Sequence, residues 1–231
     1  MNRIVAIARL QALGRHDALF WPITILAIAF TVNMAVFASI SDTVTDDPVT
    51  AALASIYVTT LAFGAMAVAQ HFPFALGMSV TRREFSAGLG LFVAVQTFAY
   101  SVLLVVLQSI EDYTHGWGMR LRFFGLGFMN HYAPPVQFVM YAVPMLFMTL
   151  LGISAGAVYV RWRVNGVLTA TAAVLLLLGG AAALIGVFER WPAVGHWLTH
   201  TSPVALFAGW PLVLVAALGT GSWLALRRAT P

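Results

Sequence analysis

Six stretches of this chain, residues 19–41, 51–72, 87–110, 135–159, 166–188 and 204–226, contain no Asp, Glu, Lys or Arg. Each is more than twenty residues long, and a helix needs about 20 mainly apolar residues to cross roughly 30 Å of hydrocarbon. Little else accommodates such a pattern. A soluble domain carries about 25% charged residues, whereas this one carries 9%, with 61% hydrophobic side chains and a mean hydropathy of +0.89. Transmembrane β-strands alternate in polarity over about ten residues; the run Val174-Leu175-Leu176-Leu177-Leu178 does not. The sequence therefore predicts an all-α integral membrane protein of six transmembrane helices. They form a single domain over 1–231, with an N-terminal interfacial segment at 1–18 and the six-span bundle at 19–226.

The charges that remain lie between the stretches, and their sign is uneven. All twelve basic residues are Arg, and there is no Lys or Cys. Arg3, Arg9, Arg15, Arg82, Arg83, Arg161, Arg163, Arg227 and Arg228 fall on one side of a six-span bundle. Arg120, Arg122 and Arg190 fall on the other, with Asp42, Asp46, Asp47, Glu111, Asp112 and Glu189. Nine against three predicts cytoplasmic termini by the positive-inside rule. The basic balance is thus topology, and nucleic acid is not an expected partner. Absence of Lys and Cys excludes a Walker A phosphate loop, Schiff-base chemistry, thiolate nucleophiles and cysteine metal sites. The first apolar stretch is too long for the core of a cleavable signal peptide.

The most informative segment joins the second and third stretches: His71-Phe72-Pro73-Phe74-Ala75-Leu76-Gly77-Met78-Ser79-Val80-Thr81-Arg82-Arg83-Glu84-Phe85. Pro73 is expected to stop or kink the second span. Thr81-x-x-Glu84 is a capping box, with Val80 and Phe85 placed as a hydrophobic staple, so a helix should start at Arg82. Two arginines in the first turn of a helix oppose its macrodipole, at some tenths of a kcal/mol each. Contacts with lipid phosphates are one counterweight; a docking surface for a cytoplasmic partner is the other.

Pro-Phe-Ala-Leu-Gly-Met-Ser-Val-Thr-Arg-Arg-Glu-Phe before a glycine-rich helix resembles the membrane subunits of ATP-binding-cassette transporters of the type 2 exporter family. The resemblance implies six spans and an N-terminal connecting helix. It also implies a coupling helix between spans two and three, which seats in a separate ATPase subunit. Phe74, Leu76, Gly77, Met78, Ser79, Val80, Thr81, Arg82, Arg83, Glu84 and Phe85 would then carry the coupling role. Two permease chains and two ATPases would form the working unit in a bacterial inner membrane, with ATP and Mg bound by the ATPase and no cofactor by this chain. At the N-terminus Arg3, Arg9 and Arg15 stand about 120° apart on a helical wheel, facing three ways rather than one.

Other motifs read more simply. Gly152-Ile153-Ser154-Ala155-Gly156 matches the G-x-S-x-G nucleophile pattern, but it lies inside an apolar span, where small residues at i and i+4 serve helix packing. His196 and His200 are spaced for one helix face, yet residue 197 is Trp, so no metalloprotease acid stands between them. With Trp191 and Trp197 they suggest an interfacial helix near 190–202. His115, Trp117, Phe123, Phe124, His131 and Tyr132 predict a loop packed over one end of the bundle. Amides and hydroxyls inside spans mostly join helices; Asn33, Gln96, Tyr100, Gln137, Tyr141 and Met145 are the candidates for a substrate path.

These features favour a non-catalytic subunit of an ATP-driven exporter moving an amphipathic or lipophilic cargo such as a drug, antimicrobial peptide or lipid. A membrane anchor or sensor recruiting a cytoplasmic protein through the same loop is the alternative. A lipid-modifying enzyme embedded in the membrane is less favoured, since the spans hold no carboxylates. A second copy or close relative, and membrane lipids, are the other expected partners.

Overall fold

The computed structural model describes residues 17–40, 50–125 and 128–228. Most of the expected interfacial segment, with Arg3, Arg9 and Arg15, lies outside them, as do Asp42, Asp46 and Asp47. The described residues are helical apart from short connections, with no extended strand among them. In chain order the helices are α1 (Asp17–Ile40), α2 (Ala54–Ala69), α3 (His71–Gly77), α4 (Arg82–Tyr113), α5 (Pro134–Val187), α6 (Trp191–His200) and α7 (Trp210–Arg228), the last entered through a wide turn at Ala205–Gly209.

Four of these helical segments are long and apolar enough to cross a membrane: Leu19–Ser39, Arg82–Tyr113, Pro134–Val187 and Ala205–Ser222. The difference from six has two physical sources. Proline at 73 has no N–H for the carbonyl of residue 69 and crowds it, and α2 ends at Ala69 after 16 residues. The chain stays in helical conformation through Gln70 and resumes at once as α3. The other source is α5, whose 54 residues cover both the fourth and fifth predicted stretches.

That long helix is broken at Arg163, where the backbone takes φ 55° and ψ −152°. A Cβ placed on Gly166 would lie 3.4 Å from Val158 Cγ1. Eight residues of straight helix would put about 12 Å of rise between them, so the chain bends back sharply at Arg163. Arg161 and Trp162 immediately precede the break, the guanidinium carbon 4.8 Å from the indole centroid. The arm after the break is apolar and exposed along its length, from Leu168 at 61% to Leu176 at 76%. Among the described residues, few side chains cover it.

The bundle is built around the α2–α5 pair, with α1, α4 and α7 packed on it. Glycines permit this approach. A Cβ on Gly152 would sit 2.0 Å from the Leu61 carbonyl oxygen, one on Gly156 2.6 Å from that of Ala65, and one on Gly64 2.5 Å from that of Thr149. The G-x-S-x-G match is therefore a helix-packing face, and Ser154 Oγ lies 2.8 Å from Ser222 Oγ of α7. Two apolar clusters fill the interior. One gathers Val68, Phe72, Phe85, Leu89 and Ile153 near the α2–α4 connection. The other gathers Ile56, Leu104, Leu121, Met140, Tyr141 and Met145 toward the opposite end.

Candidate functional site

The α3 turn is held by local bonds that can be followed one by one. Helix α3 ends in a Schellman arrangement: Ser79 N–H donates to the Leu76 carbonyl and Val80 N–H to the Ala75 carbonyl, each at 3.1 Å. Ser79 occupies the left-handed position, φ 61°, that glycine usually takes. Gly77 stands two residues earlier, at the end of α3. Beyond the turn, Thr81 caps α4. Glu84 N–H donates to Thr81 Oγ1 at 3.2 Å, and Thr81 N–H donates to Glu84 Oε2 at 3.0 Å. Both halves of the predicted capping box are present.

The turn has a buried base and an exposed crest. Phe72 and Phe85 meet edge to face at 5.2 Å, both fully enclosed, and Leu76 and Val80 rest on the same cluster. Phe74 is 59% exposed and Met78 58% exposed, one helical turn apart. Gly77, Ser79, Thr81 and Arg83 are also exposed; Arg82 and Glu84 are half-buried. The eleven residues assigned to coupling thus divide. Phe85, Leu76 and Val80 fix the turn to the bundle, while Phe74, Met78 and Arg83 face outward as two apolar side chains and a guanidinium.

The six candidate path residues are dispersed. Tyr100 donates to the Leu19 carbonyl at 2.8 Å and ties α4 to α1. Asn33 donates to the Ala29 carbonyl within α1 and accepts from Thr50 Oγ1, each at 2.8 Å. Gln137 donates to the carbonyls of Met129 and Tyr132. Tyr141 Oη lies 2.6 Å from the Gln108 amide oxygen and 2.7 Å from the Phe124 carbonyl oxygen. A hydroxyl has one proton to give, so a Gln108 amide turned to present its nitrogen satisfies all three groups. Met145 is fully buried beside Tyr141 in the second apolar cluster. Gln96 alone of the six lines the large cavity between the helices. That cavity, about 510 Å³, is bounded by α1, α2, α4 and α5, and its walls are mainly apolar.

One residue with a central structural role gave no signal in the sequence. Glu111, near the end of α4, is completely buried. Its Oε2 accepts from Trp117 Nε1 at 3.1 Å, Phe123 N at 2.9 Å and Phe124 N at 3.0 Å, and its Oε1 from Gly125 N at 2.9 Å. Four donors converging on two oxygens suit a carboxylate, which only accepts. The adjacent Asp112 pairs with Arg122 at 2.7 Å. Together they hold the aromatic segment against the bundle, where Trp117 and Phe123 contact Phe30 of α1 at 4.9 and 5.2 Å. The predicted aromatic loop over one end of the bundle is present.

His196 and His200 stack on exposed α6, ring centroids 3.7 Å apart, and His200 Nδ1 lies 2.9 Å from the His196 carbonyl oxygen. No group of three or more His, Cys, Asp and Glu side chains is placed to hold a metal ion among the described residues. No family model matches the chain, and no curated protein or solved structure is significantly similar to it.

Proposed function

We propose that this chain is the membrane-spanning subunit of an ATP-driven exporter in a bacterial inner membrane, moving an amphipathic or lipophilic cargo outward. It works as a pair, with a second copy or close relative, and each chain spans the membrane six times with cytoplasmic termini. Separate ATPase subunits bind and hydrolyse ATP with Mg; this chain converts their movement into a change of access. The six-span reading is supported by the near-continuous helical run of α2 and α3 and by the break of α5 at Arg163.

The observation that carries the reading is the α2–α4 turn. A docking element has to transmit force, so its base must be joined to the bundle while its crest stays free. Here Phe72 and Phe85 are enclosed and Phe74 and Met78 are exposed. Two exposed apolar side chains and an exposed guanidinium in one turn segment suit a protein groove with an acidic rim. ATP shifts the bundle between two states only if the ATP-bound partner makes better contacts with one of them. A turn tied to both α2 and α4 gives those contacts leverage over two helices. The mainly apolar lining of the cavity supports a lipophilic cargo.

Co-expression with the genes that neighbour its own, followed by affinity purification of this chain, tests the proposal. An ATPase should co-purify with the native chain and be lost from the combined variant Phe74→Ala, Met78→Ala and Arg83→Ala. Because those side chains are exposed, the variant should keep native thermal stability. Failure of any ATPase to bind, or binding that survives the triple change, refutes the coupling assignment.

A further inference from the structure

The cavity between α1, α2, α4 and α5 has the form of a site for a single hydrocarbon chain. Along α2 its wall runs from Val58 past Ala62 and Ala67 to His71 at the start of α3. Thirteen residues of helix rise about 20 Å, compared with about 15 Å for one leaflet of a 30 Å hydrocarbon core. The lined run is thus longer than one leaflet is thick, which leaves room for one extended chain lying along it.

Polar groups are distributed unevenly along that length. Away from His71, the hydroxyls of Thr59 and Thr149 are engaged by carbonyls of their own helices, Ser55 O at 2.6 Å and Met145 O at 2.8 Å, and the Gln96 amide is hydrogen-bonded to Tyr100. They offer little to a polar ligand there. At the far end stands His71, a residue type suited to the boundary between hydrocarbon and headgroups. An apolar cavity does not hold water well and takes up apolar ligands instead, and about 510 Å³ lies within the range of small-molecule sites. Ala62 and Val58 line the cavity and are themselves exposed, so its side wall is open to whatever solvent surrounds the bundle.

We propose that this cavity binds one alkyl chain, entering sideways from the bilayer between the helices of a single protomer, with the polar head of the molecule at the His71 end. The inference rests on placement of the helices in a membrane and is independent of the ATPase. The chain comes either from a bilayer phospholipid or from a free single-chain amphiphile.

Photo-crosslinking in nanodiscs separates these sources. One arm uses a phospholipid carrying a diazirine in an acyl chain, the other a free fatty acid carrying the same group; mass spectrometry maps the adducts. The expected result is labelling concentrated on cavity residues such as Phe63, Val93 and Gln96 in at least one arm. Ala62→Phe should lower that labelling about tenfold, the effect of shutting roughly two methylenes out of the cavity. Leu176→Phe, on the exposed arm of α5, should leave it unchanged. His71→Leu should weaken labelling by the fatty acid but not by a diazirine-bearing alkane. Adducts spread evenly over lipid-facing residues such as Leu176 and Leu177, and indifferent to Ala62→Phe, would overturn the proposal. If cavity labelling holds while no ATPase co-purifies, the exporter reading falls and the site remains.

Discussion

Glu111 shows how much one side chain can organise. Its carboxylate draws together the Trp117 indole and the backbone of Phe123, Phe124 and Gly125. Glu111→Gln keeps the shape but turns an NH2 group toward buried N–H donors. Loss of charge-assisted bonds and the unpaired donors left behind should lower stability by about 2–3 kcal/mol. The expected observation is a lower melting temperature with new protease cuts between residues 114 and 133. An unchanged cutting pattern would mean that the aromatic contacts with Phe30 hold the segment without the carboxylate. At this scale, legibility in the sequence follows distance along the chain. The Thr81–Glu84 capping box was legible because its partners stand three residues apart. Glu111 was not, because its partners lie 6 to 14 residues on and only the fold brings them back. Ser79 was not legible for another reason: it takes a left-handed position that glycine usually fills.

Among the elements, the α2–α5 pair depends on backbone approach. Gly152→Ala would set a methyl group 2.0 Å from the Leu61 carbonyl oxygen, and neither atom belongs to a flexible side chain. The helices must separate, at a cost of about 1–3 kcal/mol from overpacking. Gly179, on the exposed arm of α5, has nothing within 4 Å of an added Cβ. Gly179→Ala should therefore leave the melting temperature unchanged or raise it, since Ala favours helix over Gly by about 1 kcal/mol. Equal effects of the two substitutions would contradict the assignment of 152–156 as a packing face. The packing role was readable from small-residue spacing. The partner was not: nothing local in 152–156 selects α2 over the other helices. The break at Arg163 is a similar case. Arg161 and Arg163 marked a connection between two apolar runs, but no Gly or Pro marked the residue that carries the unusual φ and ψ.

For the whole molecule, the absence of cysteine from the sequence makes topology and partnership accessible to single introduced thiols. Tyr113 is 88% exposed, and Met78 and Val164 are exposed as well. Six spans put Met78→Cys and Val164→Cys on the cytoplasmic side and Tyr113→Cys outside. In intact cells an impermeant maleimide should label only the last; labelling of Met78→Cys would reverse or break the proposed arrangement.

The central claim is that the crest of the α2–α4 turn docks onto an ATPase. Its most direct measurement is crosslinking from Met78→Cys, modified with a photoreactive maleimide, in membranes co-expressing whichever ATPase co-purifies with the native chain. The account predicts a crosslinked product containing both chains, diminished by Arg83→Ala and absent when the thiol is placed at Leu176. A Met78→Cys that reacts only with lipid, while the ATPase is present and folded, would contradict it.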